Sequence, residues 1–346
     1  MGAVRTEGMM MARRPDVGVM FLRDWSPEAL IPFARRAEAI GLDELWVIED
    51  TTYTAGIAQA ATALAVTHRL RVGLGIVPAV ARNAAILAME FSTLARIHPG
   101  RFLPGIGHGV AAWMTQIGAR PPSWLAALEE TTTAVRSLLA GETVTMDGRT
   151  VRLSDVRLDQ APAVVPPVSV GVMGNRSLEL AGRVADGTVL SKYSSPAYVA
   201  SARRHIAAGM AEAGRTAPHR LTVFVYGAVD RDDPVASREA LRRVIAGGLA
   251  GGGFTAHMAA LPFADELSEL IARGGEETVQ REMPDAWLDD LAAAGTPEQA
   301  IATIERLVAA GADSVVLVAP PSANPDDWLD AIGRDLLPLL NPALTT

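Results

Sequence analysis

Three short clusters hold the residues whose types and spacing can do chemistry. Glu49-Asp50 sets two carboxylates side by side directly after an apolar run, where they can serve as general acid or base or accept from a ring nitrogen. Gly105-Ile-Gly-His-Gly109 surrounds His108 with glycines, so a flat ring can approach the backbone at Gly107 while the imidazole donates a hydrogen bond or relays a proton. Gly171-Val-Met-Gly174-Asn175-Arg176-Ser177 leads an apolar run straight into a helix start, where free N–H groups, a hydroxyl and a guanidinium converge as a phosphate requires. Leu190-Ser191-Lys192 ends a later run and can add the Ser191 hydroxyl to the same pocket. Ordinary structural explanations compete with each: a helix cap for Asp50 or Asn175, a solvated side chain for Arg176, a packing histidine for His108, an exposed loop for Ser191. Gly75, inside Val72-Gly-Leu-Gly-Ile-Val-Pro78, marks close approach of a ligand or backbone, or steric relief in a tight interior. Trp113 and Met114 read as packing or pocket wall.

These clusters work together only if one end of a single scaffold carries them. Apolar runs at 16–21, 42–48, 70–77, 101–106, 167–172, 187–190, 221–229 and 313–318 alternate with helical segments, each helix opened by a capping residue or closed by glycine or proline. Eight strand–helix repeats, with strands apolar on both faces, predict a (β/α)8 TIM barrel. In such barrels the loops after the strand C-termini build the site, and every cluster above follows a strand. Two departures from the repeat are expected. Residues 142–146 and 149–153 flank Asp147-Gly148 as a β-hairpin inserted before strand five. Between strands seven and eight, residues 234–294 contain only helical material and glycine-rich joints, a helical excursion over the barrel. An open doubly wound sheet is the alternative, but it would put a GxGxxG after the first strand, where Phe21-Leu-Arg-Asp-Trp25 stands.

Composition narrows the function classes. The 346 residues could make two domains by length, but the unbroken repeat predicts one, over 15–342, behind a flexible leader at 1–14. Hydrophobic residues make up 49% and charged residues 20%, enough for a large core. A net charge of −8, without basic residues interleaved with aromatics, argues against nucleic acid. The chain has no cysteine, HxH or HExxH, so metal chemistry finds no ligands, and no GxSxG elbow supports acyl transfer. No run has signal-peptide or bilayer-spanning character, so no membrane is expected and a cytoplasmic setting fits.

The motifs Trp46-Val-Ile-Glu49-Asp50, Val72-Gly-Leu-Gly-Ile-Val-Pro78, Arg82-Asn83, Leu94-Ala-Arg-Ile-His-Pro-Gly-Arg-Phe102, Gly105-Ile-Gly-His-Gly109, Leu180-Ala-Gly-Arg-Val-Ala-Asp-Gly187 and Ala310-Gly-Ala-Asp-Ser-Val-Val-Leu317 resemble, over nearly the whole chain, the luciferase-like class of coenzyme F420-dependent oxidoreductases. The resemblance implies a barrel carrying coenzyme F420, with the cofactor phosphate at Gly174, Asn175, Arg176 and Ser177. It also implies a non-prolyl cis peptide near Gly75 and Ile76, forming a bulge against the cofactor ring. The implied reaction is hydride transfer between the deazaflavin and a small-molecule substrate, with Glu49, Asp50 and His108 as proton-transfer candidates. An FMN-dependent monooxygenase fed by a partner flavin reductase is the alternative, and a cofactor-free binding homologue a third. Relatives of this class often form homodimers. The chain departs from the family pattern at Glu49-Asp50, where many members carry Asp-His, at Val110, where an acid is usual, and at Gly174-Asn175, where Gly-Pro is common. The first two weigh against the sugar-phosphate dehydrogenase subtype.

Overall fold

Runs such as Asp-Val-Gly-Val-Met and Ser-Val-Val-Leu-Val, in which every residue is buried, can only be strands covered on both faces. In the computed structural model, which describes residues 14–252 and 255–340, they form a parallel ring. The barrel strands are Asp16–Met20, Glu44–Val47, Arg71–Leu74 continued as Val77–Pro78, Phe102–Leu103 continued as Gly105–Gly107, Ser169–Gly171, Gly187–Leu190, Arg220–Val229 and Ser314–Val318. The eighth pairs with the first through Val17 and Val315, and the third with the fourth through both pieces, at Val72–Phe102 and Val77–Ile106. Ile106 then pairs with Val170 of strand five, which closes the ring as a TIM barrel requires. The first 13 residues of the expected leader and the last two of the expected domain lie outside the described residues.

The hairpin stands where the sequence puts it, as Val144–Asp147 against Arg152–Val156, but its turn is wider than a two-residue Asp-Gly connection. Asp147 pairs with Arg152, so residues 148–151 form the connection. The Gly148 N–H donates to the Val151 carbonyl at 2.9 Å, and the other three are satisfied from outside: the Glu130 carboxylate, on helix Trp124–Leu139, accepts from Arg149, Thr150 and Val151 at 2.8–2.9 Å. A second correction falls in the excursion, which is helical only as far as Leu291. Ala292–Gly295 is a fully buried strand, parallel to the end of the long seventh strand from Tyr226–Ala292 onward. Alanine gives no β signal, yet pairing with a strand that outruns its neighbours overrides local preference.

Alternation along strand two places Glu44 and Trp46 on the interior side. Glu44 is fully buried near the N-terminal end, where its carboxylate accepts from Trp46 Nε1 and Ser314 Oγ at 2.8 Å and pairs with Arg220 at 2.5 Å and Arg71 at 3.3 Å. Asp16 bridges the same two arginines at 2.8 Å. Burial alone would raise the Asp16 pKa, but the two guanidinium groups outweigh it and hold it below the ordinary carboxylate value. Strands one, two, three, seven and eight are thereby joined at the floor of the barrel.

Candidate active site

At the opposite end, the two carboxylates after strand two part company. Glu49 meets the Arg82 guanidinium through both oxygens, at 2.5 and 2.8 Å, and accepts from the backbone N–H of Gly56, the first residue of helix Gly56–Ala65, at 3.1 Å. Its lone pairs therefore tie the strand-three loop to a helix N-terminus. Arg82 also reaches Glu90 at 3.3 Å, and burial raises the proton affinity of Glu90 although the arginine opposes it. Asp50 instead accepts from Arg23, in the loop after strand one, at 2.7 Å. The Arg23 guanidinium lies over the Tyr53 ring at 4.6 Å and 5.6 Å from the Trp113 ring. Tyr53 and Val110 are exposed beside them in sequence, so this part of the mouth offers apolar surface next to a neutralised ion pair.

The peptide between Gly75 and Ile76 is cis, at the junction of the two pieces of strand three. Two glycines here are required by aromatic neighbours. A Cβ on Gly73 would fall 2.2 Å from the Trp46 indole, and one on Gly75 would fall 2.7 Å from Phe224, which packs edge-on to Trp46. For Gly75 this crowding by Phe224 and Trp46 is the steric relief expected in a tight interior. The Ile76 side chain turns toward strands four and five, where a Cβ on Gly171 would meet it at 2.6 Å.

His108 and Ser177 are brought together, Nε2 to Oγ, at 3.2 Å. Burial lowers the His108 pKa, only partly countered by the Trp124 backbone, so the ring is neutral at neutral pH. Ser177 sits in the first turn of helix Asn175–Val184, whose N-cap is Gly174. No side chain caps this helix, and a Cβ on Gly174 would meet nothing within 4 Å. Asn175 and Arg176 are exposed beside it. Strand six adjoins strand five, and Ser191 at its end places Oγ 3.5 Å from His257 Nε2, while Lys192 Nζ lies 5.3 Å from the centre of the Tyr226 ring. The candidates thus fall into two groups: an open helix N-terminus with hydroxyls on one side of the mouth, and a paired-carboxylate region after strand two.

Sequence reasoning passed over four contributors. Arg23 and Tyr53 stand in mouth loops, and the strand-end rule that found Asp50 could have found them. Tyr198 and His257 gave no signal, because one lies in a helix and the other in the excursion.

The chain matches the family described as luciferase-like monooxygenase over residues 12–314. It is similar to 5,10-methylenetetrahydromethanopterin reductase of Methanolobus tindarius, 29% identical over 311 residues, covering 88% of this chain and 94% of the relative. It is also similar to F420-dependent glucose-6-phosphate dehydrogenase of Kineococcus radiotolerans, 26% identical over 337 residues, covering 92% and 94%. Among solved structures, coenzyme F420-dependent tetrahydromethanopterin reductase from Methanopyrus kandleri shares the fold, with a TM-score of 0.78 at 22% identity over 95% of this chain and 100% of that one.

Proposed function

The chain belongs to the luciferase-like monooxygenase family, and from that premise we propose that it is an F420-dependent oxidoreductase, transferring a hydride between coenzyme F420 and a small organic substrate at the barrel mouth. The observation that carries the reading within this chain is the uncapped helix N-terminus at Gly174, open to solvent, with the Ser177 hydroxyl joined to a neutral His108. That donor set fits a phosphate: N–H groups and hydroxyls can all point hydrogens at one anion, and an exposed guanidinium on Arg176 adds charge. Asn175, Arg176, Ser177 and Ser191 would hold the cofactor's anionic tail, and Gly75, Ile76 and Gly107 would lie against its ring.

When bound, coenzyme F420 supplies or accepts the hydride. The chain's own residues bind, orient and manage protons. Asp50 is the group best placed to exchange a proton with substrate, since Arg23 donates to one of its oxygens and the side chain remains 24% exposed. Glu49, committed to Arg82 and Gly56, shapes the mouth. His108 orients the Ser177 hydroxyl. The apolar surface of Tyr53, Val110 and Trp113 receives the organic part of the substrate.

The family's description as monooxygenases favours a second reading, an FMN enzyme served by a flavin reductase. Absorbance and fluorescence titrations with each cofactor separate the two. Saturable F420 binding with weaker FMN binding is expected. Tight FMN binding with no response to F420 would transfer the assignment to the second reading, and binding of neither would leave a cofactor-free homologue.

Three further points belong to the same reading. Residues 15–342 act as one domain. The chain works as a homodimer, for which helix Ala84–Ile97 exposes Ile86, Met89 and Ile97 along one face; sedimentation equilibrium checks it. Its setting is the cytoplasm, consistent with a sequence free of cysteine. Among the described residues no helix is long and apolar enough to cross a membrane.

A further inference from the structure

We propose that Tyr198 and His257 are positioning residues for the phosphate end of the cofactor, a stacked pair that braces the loop ahead of helix Asn175–Val184 against the loop after strand six. The proposal rests on the reading that a phosphate-bearing cofactor sits at that helix.

Tyr198 lies in the first turn of helix Pro196–Glu212, and its N–H is held by the Ser195 cap at 3.2 Å. The phenol is 2% exposed and donates to the carbonyl of Met173 at 2.6 Å. Met173 immediately precedes Gly174. The helix's own N–H groups of Ser177 and Leu178 hold the Gly174 carbonyl at 2.9 Å, while the space beside Gly174 is open and no side chain caps the helix. The short hydrogen bond from a rigid ring adds a side-chain anchor on the peptide that enters the anion-facing turn.

The opposite face of the arrangement comes from far along the chain. His257, in the short helix Thr255–Met258 of the excursion, is fully buried and stacks on Tyr198 with ring centres 4.0 Å apart and 30° between planes. Its Nε2 stands 3.5 Å from the Ser191 hydroxyl, while the Ser191 carbonyl is taken by Ser194 Oγ at 2.6 Å. Burial lowers the His257 pKa to about 4, so the ring meets Ser191 as a neutral partner that competes with no phosphate for the hydroxyl by charge. Packing alone does not ask for these two residues. An aliphatic pair would offer neither loop a polar partner, whereas here each ring directs its polar edge to one of the two loops that flank the open helix end. The excursion between strands seven and eight is thereby fastened to the pocket after strands five and six.

The test compares two ligands that share a ring system and differ in the tail: F420, and its deazaflavin precursor lacking the phosphate and glutamates. Y198F keeps the ring and removes the bond to Met173; H257L removes the polar edge; H257Q restores a hydrogen-bonding group. Fluorescence titration should show F420 binding about tenfold weaker in Y198F and H257L, the scale of one or two net hydrogen bonds, with the tail-less ligand unchanged and H257Q intermediate. A parallel loss for both ligands, or no loss for F420 in the isosteric Y198F, overturns the proposal. If the wild type binds neither deazaflavin, the functional reading fails on its own. FMN and riboflavin, which differ by one phosphate, then carry the same comparison, and a wild type without preference for the phosphorylated form overturns the brace as well.

Discussion

Ile76 lies so close over Gly107 that a Cβ added there would fall 2.7 Å from Ile76 Cγ1 and 2.8 Å from its Cδ1. Glycine at 107 thus serves the side chain of strand three before it serves any ligand. Gly107→Ala should destabilise the protein by about 1–3 kcal/mol in urea unfolding, the range for overpacking a filled interior. Gly174→Ala should stay within about 0.5 kcal/mol, since its surroundings are open and its φ of −80° suits any residue. Trimming Ile76 to Ala in the Gly107→Ala background should recover part of the loss; strict additivity would sink the explanation.

Adjacent carboxylates with different partners should respond differently to neutralisation. Asp50→Asn is expected to lower kcat by about 100-fold or more with little change in melting temperature, as removal of a proton-transfer group does. Glu49→Gln breaks the two-oxygen contact with Arg82 and should cost about 1–3 kcal/mol of stability, with kcat within about tenfold of wild type. Steady-state kinetics on both variants decide the matter, and the reverse pattern assigns the proton to Glu49.

At the floor of the barrel, Glu44→Gln leaves Asp16 as the carboxylate that bridges Arg71 and Arg220. A buried ion network that loses one member typically costs about 3 kcal/mol or more. Denaturant unfolding should show this loss, while F420 affinity of the folded variant stays at the wild-type value. Impaired binding at full stability would mean that the floor reaches the mouth.

Acid should destabilise the chain through buried histidines. Burial, aided by Arg203 and Arg215 and opposed by Asp186, lowers His219 to about 4, and burial alone lowers His257 equally. Native rings stay neutral while unfolded ones take up protons below the ordinary 6.5, so stability is full above that pH and falls as pH drops toward about 4. Each histidine contributes a slope of up to about 1.4 kcal/mol per pH unit in that window. His219→Gln, which can keep the 2.8 Å bond to Thr188, should remove one such slope from unfolding curves recorded between about pH 6 and 4.5. Parallel wild-type and variant profiles would disprove it.

Local pattern made the barrel readable. Residues 187–190 are a strand from end to end as expected, Asn175 opens its helix, and each loop cluster follows a strand. What local pattern lacked was partner information. Ala292–Gly295 became a strand because the seventh strand offered an unpaired edge, and the hairpin turn widened because Glu130 satisfied it from another element. The site divides the same way. Position after a strand nominated Glu49, Asp50, His108 and Ser177, but their partnerships span the ring: Arg82 is 33 residues from Glu49, and Ser177 is 69 from His108. Closure of the sheet creates those pairs, so no window of sequence contains them.

The ion network joining Asp16, Glu44, Arg71, Arg220 and Ser314 works like a rivet on the side of the molecule away from catalysis. The exposed rim positions around Tyr53 and Val110 therefore stand apart from this chassis, whereas Trp25 and Met114, in the segments after strands one and four, remain part of the core. A lineage, or an engineer, seeking new substrates has its variable parts already separated from those that must not change.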